Sequence, residues 1–160
     1  MHVASHDETH CPIELCKCTK FEAICSGKNL IYIPRFPRDV ESVTFLNGNI
    51  GMLSKERTKN LTFNVIYKLS FINNAIVRLE PDAFSTFITI KVLTISFEPS
   101  LLASDVMNAL NNMNTAHLKS LNLINNDWMF LPDDMFKAIK TNKIQKINLN
   151  SNNLQLLNFS

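Results

Sequence analysis

Five eleven-residue segments recur along the chain, and nothing else in the sequence limits its fold as tightly. They read VESVTFLNGNI (40–50), IYKLSFINNAI (66–76), IKVLTISFEPS (90–100), LKSLNLINNDW (118–128) and IQKINLNSNNL (144–154). Their starts lie 26, 24, 28 and 26 residues apart. Positions one and four are aliphatic, position six is aliphatic or Phe, and position eleven is apolar in four of the five. Apolar residues two apart mark a short, half-buried strand. One strand per period of this size predicts a solenoid of α/β class, each coil adding one strand to a parallel sheet.

Position nine is Asn74, Asn126 and Asn152 in three coils. There the chain leaves the strand and turns, and an inward amide can bond backbone groups that a turning chain cannot pair with itself. Stacked coils then predict a ladder of these Asn side chains. The whole chain has 20 Asn beside 19 Leu and 15 Ile, as such a design requires. Gly48 and Glu98 break the pattern in the first and third coils, with Asn47 and Asn49 flanking Gly48 as partial compensation. Pro99 and Ser100 predict an irregular third turn.

The returns between strands read VRLEPDAFSTF (77–87) and MFLPDDMFKAIK (129–140), with a longer one holding SDVMNALNNM (104–113). Pro81 and Pro132 fit the first turn of a short helix, and Asp82, Asp133 and Asp134 suit its positive end. Phe84 and Phe136 are expected to point inward and stack as a spine, and Ser104 to cap a helix.

All four Cys fall within CPIELCKCTKFEAIC: Cys11, Cys16, Cys18 and Cys25. An even number packed so closely reads as a disulfide-stapled cap. A zinc site would separate its ligand pairs by two to four residues and place the second pair well downstream. Of three pairings, Cys11 with Cys18 and Cys16 with Cys25 is one that avoids joining residues one apart. Each such loop of about 8 to 10 residues is worth roughly 2–3 kcal/mol in the loop-entropy description. Disulfides imply an oxidising compartment.

The cap, followed by Leu30, Ile33 and Pro34 and then aliphatic coils with an Asn turn, resembles an extracellular leucine-rich-repeat protein. The N-terminal part of Toll-like receptor ectodomains and the variable lymphocyte receptors look most similar. The resemblance implies a horseshoe with a parallel concave sheet, and the pairing Cys11–Cys18 and Cys16–Cys25. It divides the chain into a flexible segment 1–10, a Cys-rich cap 11–39 and about five repeats over 40–160. No Cys follows Cys25, so the Cys-rich C-terminal cap usual in the family is not expected, and the sequence reads as an N-terminal fragment or a member with an unusual end.

Catalytic signatures are missing from the sequence. His6-Asp-Glu-Thr-His10 resembles a zinc-protease motif only superficially, because its Glu is not adjacent to the first His. His2, His6 and His10 could catch a metal adventitiously, but no functional metal site, cofactor or enzyme activity is expected. The formal charge of +2 gives no reason to expect nucleic acid. No run of 18 apolar residues exists, so any membrane attachment would come from parts outside this sequence, and MHVASHDETH does not read as a signal peptide. Lys55, Arg57 and Lys59 read as a solvated outer return. Asn60-Leu61-Thr62 and Asn158-Phe159-Ser160 are glycosylation sequons.

Strand positions three, five, seven and eight are expected on the concave face. They supply Lys68, then Ser70, Thr94, Asn122 and Asn148, with Leu46, Ile72, Phe97 and Ile124 as an apolar stripe. Four apolar residues on one ligand-ready face point to contact with a protein, or with a microbial glycolipid or peptidic ligand. Homodimerisation through the same stripe is the competing use. The function expected is an extracellular recognition module of innate-immune type, secreted or on the cell surface. A structural or adhesive module of the matrix is the alternative.

Overall fold

Alternation of apolar and polar residues fixes which way each strand faces, and the repeat period fixes how strands stack. The computed structural model describes residue 11, residues 13–139 and residues 143–155. Its first two strands, β1 (Cys16–Cys18) and β2 (Glu22–Ser26), form an antiparallel pair with Cys16 opposite Cys25. Disulfides Cys11–Cys18 and Cys16–Cys25 staple this pair.

From β2 onward the chain adds parallel strands in order: β3 (Ser42–Leu46), β5 (Lys68–Ile72), β7 (Val92–Ser96), β8 (Ser120–Asn122) and β9 (Lys146–Asn148). Together with β1 they make a seven-stranded, largely parallel sheet. The five repeat segments pair in one register, so Thr44, Ser70, Thr94, Asn122 and Asn148 form a row across it. Parallel neighbours require a crossover for each added strand. The crossovers carry β4 (Met52–Leu53) paired with β6 (Arg78–Leu79), α1 (Lys55–Thr58) and α2 (Ala103–Asn111), with 3-10 turns at Lys59–Phe63 and Lys137–Ile139. The result is a mixed α/β domain.

Positions one, four and six supply the core. Val43, Leu69, Leu93 and Leu121 are buried at position four, and Phe45, Phe71, Ile95 and Leu123 at position six. In the last described coil the same positions open: Ile147 is exposed and Ile144 and Leu149 are half-buried. No helix among the described residues is long and apolar enough to cross a membrane.

The returns differ from the sequence expectation. Residues 81–86 and 133–136 are turns, not helices. The helix in the third return begins at Ala103, with Leu102 as its N-cap and no side-chain cap bond. Ser104 therefore lies inside it, and Asp105 accepts the Leu79 amide instead of closing the helix end. The aromatic stack runs Phe36, Phe45, Phe71, Phe84, Phe87. Phe84 belongs to it, but Phe136 is half-buried elsewhere and is not among the described ring pairs. Phe at position six of the first two coils supplies rings that a Phe in the second return can meet. In the third coil, helix α2 brings in Val106 and Leu110, and the smaller Ile95 stands at position six.

Candidate functional site

The open face of the sheet is set by the parity of each strand. With positions four and six turned inward, three, five and seven turn outward. In register, Ser42, Lys68, Val92, Ser120 and Lys146 form one row and the Thr44-to-Asn148 series a second. Leu46, Ile72 and Ser96 begin a third, which Ile124 continues one coil on. Neighbouring strands about 4.8 Å apart place these side chains as short columns.

The cap extends those rows, which the repeat pattern alone did not show. Glu22 pairs with Ser42, Ile24 with Thr44, and Ser26 with Leu46. Ile24 is exposed and adds an apolar residue beside Thr44. The alternation in Glu22-Ala23-Ile24-Cys25-Ser26 was the available signal, masked by the cysteine within it.

Most of the expected face residues are accessible in part. Leu46, Ile72, Thr94, Asn122, Ile124 and Asn148 are half-buried, and Lys68 is exposed. Ser70 is a correction: it is only 4 % exposed. Its short side chain sits in a row between Thr44 and Thr94 and beside the longer Lys68 and Ile72, so neighbours cover it. Ser96 is buried too, and its hydroxyl accepts the Ile124 amide at 3.1 Å. Asn122 donates to Thr94 Oγ1 at 3.3 Å. Two rows of the face thus offer amides, hydroxyls and isolated aliphatics, and the Ser42 row beside them carries the charges of Glu22, Lys68 and Lys146. The largest exposures among apolar side chains lie off these rows, at Leu102 and Ile88 in the returns; scattered singly, such residues need no partner.

Position eight has one backbone conformation in every coil. Asn47, Asn73, Phe97, Asn125 and Ser151 all have φ between 53° and 61°. This left-handed region is tolerated best by Gly and Asn, so a Phe there is unfavourable by about 1–2 kcal/mol. Phe97 occupies it while remaining 46 % exposed, so the ring is not folded into the core.

The turn amides of the second, fourth and fifth coils form a ladder. Asn74 Nδ2 donates to the Phe45 carbonyl, Asn126 Nδ2 to Ile95, and Asn152 Nδ2 to Leu123. In return, Asn152 Oδ1 accepts from the Asn126 and Trp128 amides, and Asn126 Oδ1 from Glu98. Asn74 and Asn126 are fully buried, whereas Asn152 is half-buried at the open end. Gly48 supplies no rung, and a Cβ there would come within 2.7 Å of Asn74 Oδ1. Asn47 does not replace the rung: its Oδ1 accepts from the exposed Asn73 Nδ2, while the buried Asn74 Oδ1 has no hydrogen-bond partner among the described residues.

The third coil keeps the ladder through a different group. Glu98 is fully buried and its carboxylate accepts from the amides of Asn74 and Ile76 at 2.9–3.1 Å. These are the same two turn positions that Asn152 serves one coil pair later. Irregularity begins only after it. Pro99 cannot take the positive φ that Ala75 and Asp127 adopt at position ten. Leu101 then replaces Ser100 as the buried residue, and Trp128 Nε1 donates to its carbonyl at 2.8 Å.

Burial raises the Glu98 pKa above its ordinary value, opposed by the backbone bonds from Ile76 and Asn74 and by the Asn74 side chain. A carboxyl whose folded pKa is raised gives its full stabilising share below the ordinary glutamate pKa. That share is lost as pH rises through the folded value. Glu98→Gln keeps an acceptor for both amides and carries no charge. Its stability relative to the parent is expected to improve progressively from pH 4 to pH 8. Urea unfolding across that range checks this, and a pH-independent difference between the two proteins contradicts it.

Outside the sheet face, Lys55, Arg57 and Lys59 lie exposed on the first return. Arg57 donates to the Ile50 carbonyl and Lys59 pairs with Glu56. Asn60 sits in the following 3-10 turn. Asn158, His2, His6 and His10 lie outside the described residues. Among the described residues, no three His, Cys, Asp or Glu side chains are grouped to hold a metal ion. Comparison with protein-family models and with curated proteins gives no match for this chain.

Proposed function

We propose that this chain is an extracellular leucine-rich-repeat module whose concave sheet binds a protein or a microbial glycolipid or peptidic ligand, as in innate-immune recognition. The observation that carries the reading is Phe97. It occupies a left-handed position that Asn or Ser fills in every other coil, yet nearly half of its surface stays open. An unfavourable backbone choice at a large aromatic left this exposed is more readily explained by contact with a partner. A rigid aromatic loses little entropy on binding, and aromatic side chains dominate interface energetics. Ile72 and Ile124, in the row of Ser96 next to it in sequence, would add aliphatic contacts, and Thr94, Asn122 and Asn148 hydrogen bonds. The stapled cap fits an oxidising compartment.

Immobilised protein exposed to lipopolysaccharide, lipopeptide, peptidoglycan fragments and secreted microbial proteins should retain at least one of them. For that ligand, Phe97→Asn, Ile72→Asp and Ile124→Asp should each weaken binding at least tenfold, about 1.4 kcal/mol. Phe97→Asn should leave the melt unchanged or raise it, since Asn suits the left-handed position. Lys55→Glu on the outer return should have no effect. Binding lost in Lys55→Glu and kept in the sheet variants would move recognition to the returning side.

A further inference from the structure

A shallow cavity of about 360 Å³ opens where the cap meets the first return, between Ile31, Tyr32, Ile33, Glu56, Arg57 and Asn60. Its size falls within the range of small-ligand clefts, roughly 300–1,000 Å³. Ile31 and Tyr32 are consecutive and leave more than half their surface open, 56 % and 52 %. They belong neither to the core nor to the sheet rows. Asn60 is the first residue of the Asn60-Leu61-Thr62 sequon. Leu61 is fully buried and fixes the 3-10 turn, so Asn60 is held at the cavity wall. Its Nδ2 donates to the Ile33 carbonyl at 3.0 Å. An amide nitrogen carries two hydrogens, and this bond uses one, leaving the other as the place for a substituent. Arg57 at the rim is held by the Ile50 carbonyl at 3.0 Å, with its remaining N–H groups free to donate.

We propose that Asn60 carries an N-linked glycan whose first N-acetylhexosamine lies in this cavity, its apolar C–H face against Tyr32 and Ile31 and its hydroxyls towards Arg57 and Glu56. This rests on the extracellular reading, because the donor is a lipid-pyrophosphate-linked oligosaccharide of the secretory route. In the transfer, Nδ2 bonds to sugar C1 as the C1–O bond to pyrophosphate breaks. The pyrophosphate leaves with the bonding pair, and one Nδ2 proton passes to a base of the transferase. The proton that remains is the one shared with Ile33. Tyr presents an apolar body with a polar tip, which suits a sugar that is apolar on one face and hydroxylated at its edge.

The test uses the full chain secreted from eukaryotic cells with Asn158→Gln, so that any glycan is at Asn60, trimmed to one N-acetylhexosamine by an endoglycosidase. Intact mass should show one sugar, and nuclear Overhauser contacts should join its protons to the Tyr32 ring. The melt should lie about 2 °C or more above that of Thr62→Ala. Thr62→Ala removes the sequon and the bond from the exposed Thr62 hydroxyl to the Lys59 carbonyl but leaves the Asn60–Ile33 bond in place, so the same substitution in a Tyr32→Ala background measures what the lost hydroxyl alone costs. Tyr32→Ala should keep the sugar and lose both the contact and the gain in melt. An unmodified Asn60 in protein whose mass shows two disulfides overturns the proposal. So does a sugar at Asn60 with no Tyr32 contact. Four free thiols in the secreted protein would overturn the extracellular reading itself, and this site with it.

Discussion

Asn126→Ala is expected to destabilise the fold by roughly 2 kcal/mol or more, at 1–3 kcal/mol for each buried polar group left without its partner. Two groups lose theirs. The Glu98 amide donates to Asn126 Oδ1 at 2.9 Å, and the Ile95 carbonyl accepts from Nδ2 at 2.8 Å. Both bonds are buried, so water cannot replace them without entering the core. Asn152→Ala is the informative comparison. It removes more bonds, since Asn152 serves Asn126, Trp128, Leu123 and Leu149. Yet Asn152 is half-buried, and water can serve part of what it leaves. Asn126→Ala should therefore lower the urea midpoint further than Asn152→Ala. A midpoint for Asn126→Ala within error of the parent would show that the turn groups are satisfied without the amide.

The parts of this structure legible in the sequence are those a repeat states more than once. Positions one, four and six recur in every coil, so strand parity, register and core were fixed by period alone. Cysteines clustered in one short segment pointed to a cap in the same way. Single exceptions were harder. Glu98 reads as a broken rung, because a buried carboxylate is ordinarily unfavourable. Its acceptance of two backbone amides depends on where the neighbouring coil turns, which the residue type does not state. Ser70 carries the parity of an open position, but its exposure is decided by the length of the residues beside it. Ser104 is a good capping residue two positions past the N-cap at Leu102, because the helix starts directly after the buried Leu101. The turns around Pro81 and Pro132 contain helix-start residues with too few residues behind them to pay for nucleation.

The departures are not spread evenly. Phe97 in a left-handed conformation, Glu98 buried among amides and Pro99 in the turn are consecutive, directly after the middle strand of the repeat array. The other coils fill the same positions with Asn, Ser, Asp, Ala or, at Gly48, Gly. Natural sequences tend to break local rules where function asks for it. This makes the third coil the place to look for a partner. It also separates two kinds of variant. Phe97→Asn should affect contact and spare the fold, while changes at Glu98 should act on the fold and its pH dependence.

Phe71→Ala should be the most damaging single core change, at about 3–5 kcal/mol. Phe71 is fully buried at position six of the second coil. Its ring stacks on Phe45, with centroids 5.1 Å apart and planes within 14°. On the other side it meets Phe84 at 6.3 Å. The substitution removes the transfer energy of the ring, leaves a cavity in the middle of the stack, and breaks two ring contacts worth about 0.5–1.5 kcal/mol each beyond their buried area. The hole cannot close easily. Phe45 is tied to β3 and Phe84 to a turn, and β5 is held in register on both sides. Phe71→Leu keeps most of the volume and should lose clearly less than Phe71→Ala. Combining Phe71→Ala with Phe45→Ala should lose less than the sum of the two, because the contact between them disappears only once. Denaturant unfolding of the four proteins measures this coupling. Strict additivity would mean that the rings share a core without stabilising one another, and that aliphatic residues of the same volume could carry the first two coils as they carry the last three.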